Sequence, residues 1–207
     1  MSTATDIAHA PPADGGFDFG AKISSSGKLG MWIFLLTDAM SFGGLLLAYA
    51  ILRSGAHHWP DPSTRLGIGF TAVMTFDLIL SSVTMVLALS YAQMKDKKKT
   101  LMFLGLTILG GLLFLGGQVK EYSELITEKG GGLSVDTMWS TFFVPTSFHG
   151  LHVFSGVTYL TVIFFQTLRG KYTDGPHASA NNIEIAGLFW HFVDLVWILV
   201  FTFIYLI

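Results

Sequence analysis

The feature that most limits what this chain can fold into is a series of five long apolar runs, at about 31–52, 66–92, 101–125, 139–168 and 185–207. A bilayer's hydrocarbon layer is roughly 30 Å thick and a helix rises ~1.5 Å per residue, so each run can cross it. Inside lipid only helices or closed barrels satisfy every backbone amide and carbonyl. The runs are continuous and lack the alternation of barrel strands, so they read as helices. The fourth contains Pro145, which predicts a kink or an interfacial first turn. Composition agrees: 51% of the 207 residues are apolar and only 13% charged, too apolar for an ordinary soluble domain.

The same numbers exclude several functions. A net charge of −2 with no basic stripe offers nothing to nucleic acid. With no cysteine there is no disulfide, thiolate metal centre or cysteine nucleophile. No Gly-x-Ser-x-Gly, phosphate-cradling glycine loop or His-Glu-x-x-His is present, so the chain is a poor candidate for a self-contained enzyme. Residues 1–29 are polar and read as a flexible tail, without the apolar core of a signal peptide, and 30–207 as one five-span membrane domain.

The connections are short and polar. The first holds Arg53, His57, His58, Asp61 and Arg65, and the second is the run Lys95 to Lys99. The third carries Glu128, Lys129 and Asp136, the fourth Arg169, Lys171 and Asp174. Lys22, Lys28, Lys95, Lys97, Lys98, Lys99, Arg169 and Lys171 fall on one side, against Arg53, Arg65, Lys120 and Lys129 on the other. The positive-inside rule then puts the N-terminus in the cytoplasm and the C-terminus outside.

Ionisable groups within spans are costly and face a helix interface or a cavity. Asp38 shares a face with Ser41 and Gly44; Asp77 with Ser81, Thr84 and Ala88. In span 3, Gly110, Gly117 and Glu121 lie on one face, with Gln118 beside them; such small residues let a neighbouring helix approach. Span 4 carries His149 and His152 at i and i+3, followed by Gly156. Span 5 aligns Glu184, Gly187, His191 and Asp194 on one face and Trp190 with Trp197 on another. Interhelical hydrogen bonding accounts for most of these groups. A proton path or ligand site is the sharper reading for Asp38, Glu121 and the histidine pair. His149, His152 and His191 could also offer imidazoles to one ion or haem, though three-residue spacing on a helix is common by chance.

Several segments resemble cytochrome c oxidase subunit III. The span 4 stretch from Ser140 to Gly156, which reads STFFVPTSFHGLHVFSG, resembles that family's signature helix. So does the span 5 stretch from Ile183 to Trp197, with Trp190, His191, Phe192, Asp194 and Trp197 in the family's pattern. The segments Gln118 to Tyr122, Trp32 to Asp38 and Ser81 to Thr84 are similar to its shorter motifs, in the family's order. Asp38 stands where cytochrome c oxidases usually carry glutamate and quinol-oxidase relatives often carry aspartate. Ser147 replaces a usual glycine. Five spans behind a polar tail resemble the short bacterial form.

The resemblance implies an all-α, polytopic membrane helical bundle of five transmembrane helices, split into spans 1–2 and spans 3–5 around a lipid-filled cleft. It implies a non-catalytic subunit of a proton-pumping terminal oxidase in the bacterial inner (cytoplasmic) membrane. It further implies oxidase subunits I and II, and a small subunit IV, as partners, within a respiratory supercomplex. Haem and copper would sit in those partners, with no cofactor on this chain beyond bound phospholipid. The subunit would sustain proton uptake and protect the catalytic centre during turnover, with Asp38 facing His152. Wording from Gln118 to Tyr122 and from Thr141 to Val153 leans towards cytochrome c as electron donor, and Asp38 towards quinol. A free-standing proton transporter is the competing class. It predicts flux from the chain alone, yet no inverted repeat is evident. A dihaem electron carrier predicts visible absorbance from the isolated chain.

Overall fold

The computed structural model describes residues 26–57, 59–60, 65–174 and 180–207. Most of the expected N-terminal tail, and His58 and Asp61 of the first connection, lie outside the described residues. Among those described, regular structure is entirely helical, with five helices long and apolar enough to cross a membrane. They are α1 (Ser26–Gly55), α2 (Ile68–Gln93), α3 (Lys97–Thr127), α4 (Thr137–Leu168) and α5 (Asn181–Phe201), the last ending in a π-turn at Thr202–Leu206. Each outruns the apolar stretch that marks it or nearly matches it, because polar first and last turns extend the helices into the headgroup layers. α4 stays helical through Pro145.

Local chemistry sets the ends. Asp96 caps α3 by accepting from the Lys99 amide at 3.2 Å, and Asp136 caps α4 by accepting from Trp139 N at 2.8 Å. α2 and α4 close with the same pattern, in which the amide after a left-handed residue reaches back five positions: Asp96 N to Tyr91 O at 3.0 Å, and Lys171 N to Gln166 O at 3.1 Å. The left-handed residue is Gly170 (φ 81°) in α4 but Lys95 (φ 58°) in α2.

The bundle is not divided as the resemblance implied. The five-helix membrane bundle stands, but α1 and α2 do not form a pair apart from the rest. The most extensive interface joins α2 to α3; α3 packs on α4, α4 on α5 and α5 back on α2, which closes a ring of helices, while α1 lies outside it against α4 and α5. Small residues explain the α2–α3 seam. A Cβ on Gly110 would come within 2.8 Å of Ser81, and one on Gly117 within 2.7 Å of Met74 Sδ. In lipid, where apolar burial drives little association, such close approach holds helices together. Half of α5's apolar window is buried against 22% for α1, so α5 is the central helix and α1 the peripheral one.

Trp190 of α5 locks the ring. Its indole sits between Gly111 of α3 and Gly156 of α4, where added Cβ atoms would lie 2.6 and 3.0 Å from it. Its Nε1 donates to Ser81 of α2 at 3.1 Å. One side chain thus touches all three other helices of the ring. The outward faces present Leu, Val, Ile and Phe, as a lipid-facing surface requires.

Candidate functional site: a carboxyl–imidazole pair at the α1–α4 seam

Asp38 and His152 sit near the middles of α1 and α4, and Nε2 of the imidazole lies 3.2 Å from Asp38 Oδ1. Nδ1 lies 2.8 Å from the Phe148 carbonyl one turn back. A carbonyl can only accept, so this network assigns the hydrogen on Nδ1. The Nε2–Oδ1 contact is therefore a carboxyl–imidazole hydrogen bond that ties α1 to α4. Phe42 covers the pair, its ring 5.2 Å from that of His152. Asp38 Oδ2 is buried and has no hydrogen-bond partner.

Glu121 is held differently. Thr71 of α2 donates to Oε1 at 2.8 Å and Tyr205, in the terminal π-turn, donates to Oε2 at 3.1 Å. Next to it, the residues from Gln118 to Tyr122 mesh with the α4 signature. Gln118 Nε2 donates to the Thr146 carbonyl at 2.7 Å, and the Tyr122 hydroxyl lies 2.7 Å from Thr146 Oγ1. Ser147, the departure from the usual glycine, brings its hydroxyl to 3.1 Å from Tyr122. A Cβ on Gly150 would strike Gln118 at 2.6 Å, so that glycine makes room for the network.

On α5, His191 Nδ1 lies 2.9 Å from Ser82 of α2, Asp194 is buried with Oδ1 unpaired, and Trp197 Nε1 donates to Thr75 at 2.9 Å. Glu184 pairs with Lys28 of α1 at 2.7 Å. His149 is fully buried, stacked on Trp197 at 4.8 Å, and neither of its nitrogens is bonded. Asp77 has an unpaired Oδ2 at the α2–α3 seam. The structure thus brings together Asp38 with His152, and Glu184 with α1. His191 turns to Ser82 and His149 to aromatic rings. Among the described residues no group of three or more His, Asp or Glu side chains is placed to hold a metal ion.

Sequence reasoning missed Thr71, Ser82 and Tyr205 as partners. Thr71 follows Glu121's α2-facing side and was findable only by docking the helices. Tyr205 sits in the last turn of an apolar run, where an aromatic ordinarily marks the interface.

An apolar groove of about 380 Å³ runs between α1 and α5, lined by Trp32, Leu35, Leu36, Leu188, His191 and Phe192 among others. Its walls are span 1 and span 5, one from each of the two groups the resemblance implied, while α2 stands away from it against α3.

Fold and site define a polytopic membrane protein whose acids and imidazoles are sheltered by sister helices, with a carboxyl–imidazole contact across a peripheral seam. Its sequence settles the family: the chain belongs to cytochrome c oxidase subunit III, which matches residues 7–207. It is 33% identical over 182 residues to a probable quinol oxidase subunit 3 of Staphylococcus saprophyticus, covering 87% of this chain and 88% of that one. It is 34% identical over 180 residues to a cytochrome c oxidase subunit 3 of Thermostichus vulcanus, covering 86% of each. It is 35% identical over 210 residues to a cytochrome bo(3) ubiquinol oxidase subunit 3 of Pseudomonas aeruginosa, covering 100% of this chain and 98% of that one. Subunit III of haem-copper oxidases of both donor types is thus represented among its relatives.

Proposed function

We propose that this chain is the non-redox subunit III of a bacterial haem-copper terminal oxidase, stabilising the catalytic subunit and supporting proton uptake through the Asp38–His152 pair. The observation that carries the proton role is the 3.2 Å contact between Nε2 and Oδ1, with Nδ1 2.8 Å from the Phe148 carbonyl. Such a pair exchanges its proton without moving either helix, which suits a proton reservoir. The redox chemistry belongs to partner subunits I and II, which carry haem and copper; phospholipid fills the α1–α5 groove. The side bearing Lys95, Lys97, Lys98, Lys99, Arg169 and Lys171 faces the cytoplasm.

The electron donor in this reading is cytochrome c, on the wording of the segments from Gln118 to Tyr122 and Thr141 to Val153. Quinol is the second reading, favoured by Asp38 and by the relatives named quinol oxidases. Native mass spectrometry of the detergent-extracted complex separates them: a copper-bearing subunit II supports cytochrome c, and one without copper supports quinol. The same preparation tests the subunit assignment. Haem and copper co-purify with a larger partner while the isolated chain is colourless, and haem bound by the chain alone defeats the proposal. For the proton role, Asp38→Asn keeps a donor to Nε2 but cannot give the proton up. The assembled variant oxidase should lose several-fold in proton uptake or in turnovers before inactivation; an unchanged oxidase rejects the role.

A further inference from the structure

Among the acids within the helices, the Asp77 carboxyl is the one that the bundle itself leaves without a partner. The other acids within the helices have company: Asp38 has His152, Glu121 has Thr71 and Tyr205, and Asp194 is shut in beside His191 and Ser82. Asp77 lies in the apolar body of α2, is partly buried, and receives no hydrogen bond, with Oδ2 sunk between helices. It forms the floor, with Ser81, Thr84 and Gly110, of a lateral groove of about 180 Å³ between α2 and α3, whose rim is Leu80, Leu106, Leu109 and Leu113. Ser81 and Thr84 are already engaged: Ser81 donates to Leu78 O at 2.6 Å and accepts from Trp190, and Thr84 meets Thr107 at 2.8 Å. Only Asp77 lacks a partner there.

Lipid offers Asp77 nothing. Acyl chains have no donor, and headgroups lie far from a residue well inside a span. Acids at such depth pair with other groups or face water. The groove holds about six waters' share of liquid volume, room for one large side chain. Its leucine rim suits an apolar helix lying alongside, and a carboxyl without a partner at its floor offers the polar contact that helix–helix seams in lipid use.

We propose that the α2–α3 face is where a membrane helix of another oxidase subunit docks, inserting a side-chain N–H or O–H donor against Asp77. This rests on the subunit reading above and adds which face is covered and by what chemistry.

The absence of cysteine allows a clean test. Leu109→Cys on the groove rim, and Phe154→Cys on an exposed face of α4 as the comparison, each carry a benzophenone maleimide and are illuminated in native membranes. The expected result is that position 109 joins a transmembrane peptide of another oxidase subunit containing Lys, Arg, Trp, Tyr, Ser, Thr, Asn, Gln or His, more than ten-fold above position 154. Asp77→Leu should then lower retention of that subunit on detergent extraction at least ten-fold, and Asp77→Asn, which still accepts, much less. Products at position 109 with lipid only, or with a second copy of this chain, while the oxidase remains assembled, overturn the docking face. So does an intact partner yield in Asp77→Leu. If no oxidase subunit accompanies the unaltered chain, the subunit reading itself fails, an outcome distinct from a lipid-only product in an intact oxidase.

Discussion

The ring of α2 to α5 and the peripheral helix α1 solve the same problem in opposite ways. In the ring, most polar ties are made by neutral donors of fixed protonation, Trp190 to Ser81, Trp197 to Thr75, Thr71 and Tyr205 to Glu121, with the contact of His191 to Ser82 the exception. At the α1 seams the polar ties are titratable, Asp38 to His152 and Lys28 to Glu184. Hydroxyls and indoles fix geometry and do not exchange charge at ordinary pH, whereas a carboxyl facing an imidazole does both. Glu121 is thus tied by hydroxyls, although it is as buried an acid as Asp38, and the helix that carries the carboxyl–imidazole contact is the one least committed to the core.

The sharpest break of this contrast is at Trp190. Trp190→Ala empties the space between Gly111 and Gly156 and should cost about 3–5 kcal/mol, read as a lower midpoint in denaturing detergent. Trp190→Phe, which mainly removes the bond to Ser81, should cost about 1 kcal/mol. If both cost little, the ring is not the rigid half.

At the α1 seam, Asp38→Ala should cost about 1–2 kcal/mol, because it strips His152 of its partner at an interface that lipid can partly repack. The loss should be local: amide exchange should quicken in α1 and on the α4 face around His152, with α2 and α3 unchanged. Exchange that quickens equally in α2 would erase the distinction. Glu121→Gln, by contrast, should cost only about 0.6 kcal/mol, since an amide can accept from one hydroxyl and donate to the other. A large loss there would mean that Glu121 carries charge and belongs with Asp38.

Much of this arrangement could be read in the residues. The five spans followed from length and continuity alone, and the face of Gly110, Gly117 and Glu121 does meet α2. What could not be read was which helices are neighbours. Helical spacing places Ser81 and Trp190 on faces, but nothing in either span says that those faces meet, because contacts 109 residues apart depend on packing. The expected division into two groups failed for that reason: glycines fitted to Ser81 and Met74 make α2 and α3 the closest pair. The Asp38–His152 contact was reached only through the resemblance. Asp77, equally visible in sequence, was not distinguished from the acids that have partners.

The helix ends offer smaller effects that separate geometry from charge in the same way. Lys95 occupies the left-handed position that Gly170 fills in α4. Lys95→Gly should stabilise the α2–α3 turn by about 0.5 kcal/mol, the steric relief of roughly 1 kcal/mol being offset by glycine's greater freedom when unfolded. Scanning calorimetry of the purified complex reads it, and a fall in stability would show that the lysine side chain matters more than its backbone.

The least effect is electrostatic and lies outside the membrane. Lys97 at the start of α3 donates to Asp174 Oδ2 at 3.0 Å and Thr173 donates to Oδ1 at 3.0 Å, which holds the Asp174 carboxyl below its ordinary value of 3.8. At neutral pH folded and open forms of the turn are both ionised there, so the stabilisation is whole. As the pH falls past 3.8 the open form takes up a proton first and the closed turn loses ground, until below the folded value nothing of the contribution is left. Protection of the backbone amides across 170–174, taken relative to their intrinsic exchange rate, should therefore fall on acidification in that window, modestly, because the pair is exposed and salt screens it. Lys97→Ala should flatten most of this dependence while leaving the Asp38 seam untouched. If exchange in α1 shifts along with the turn, the titratable contacts of the two regions are coupled, and α1 is not the independent edge that its packing indicates.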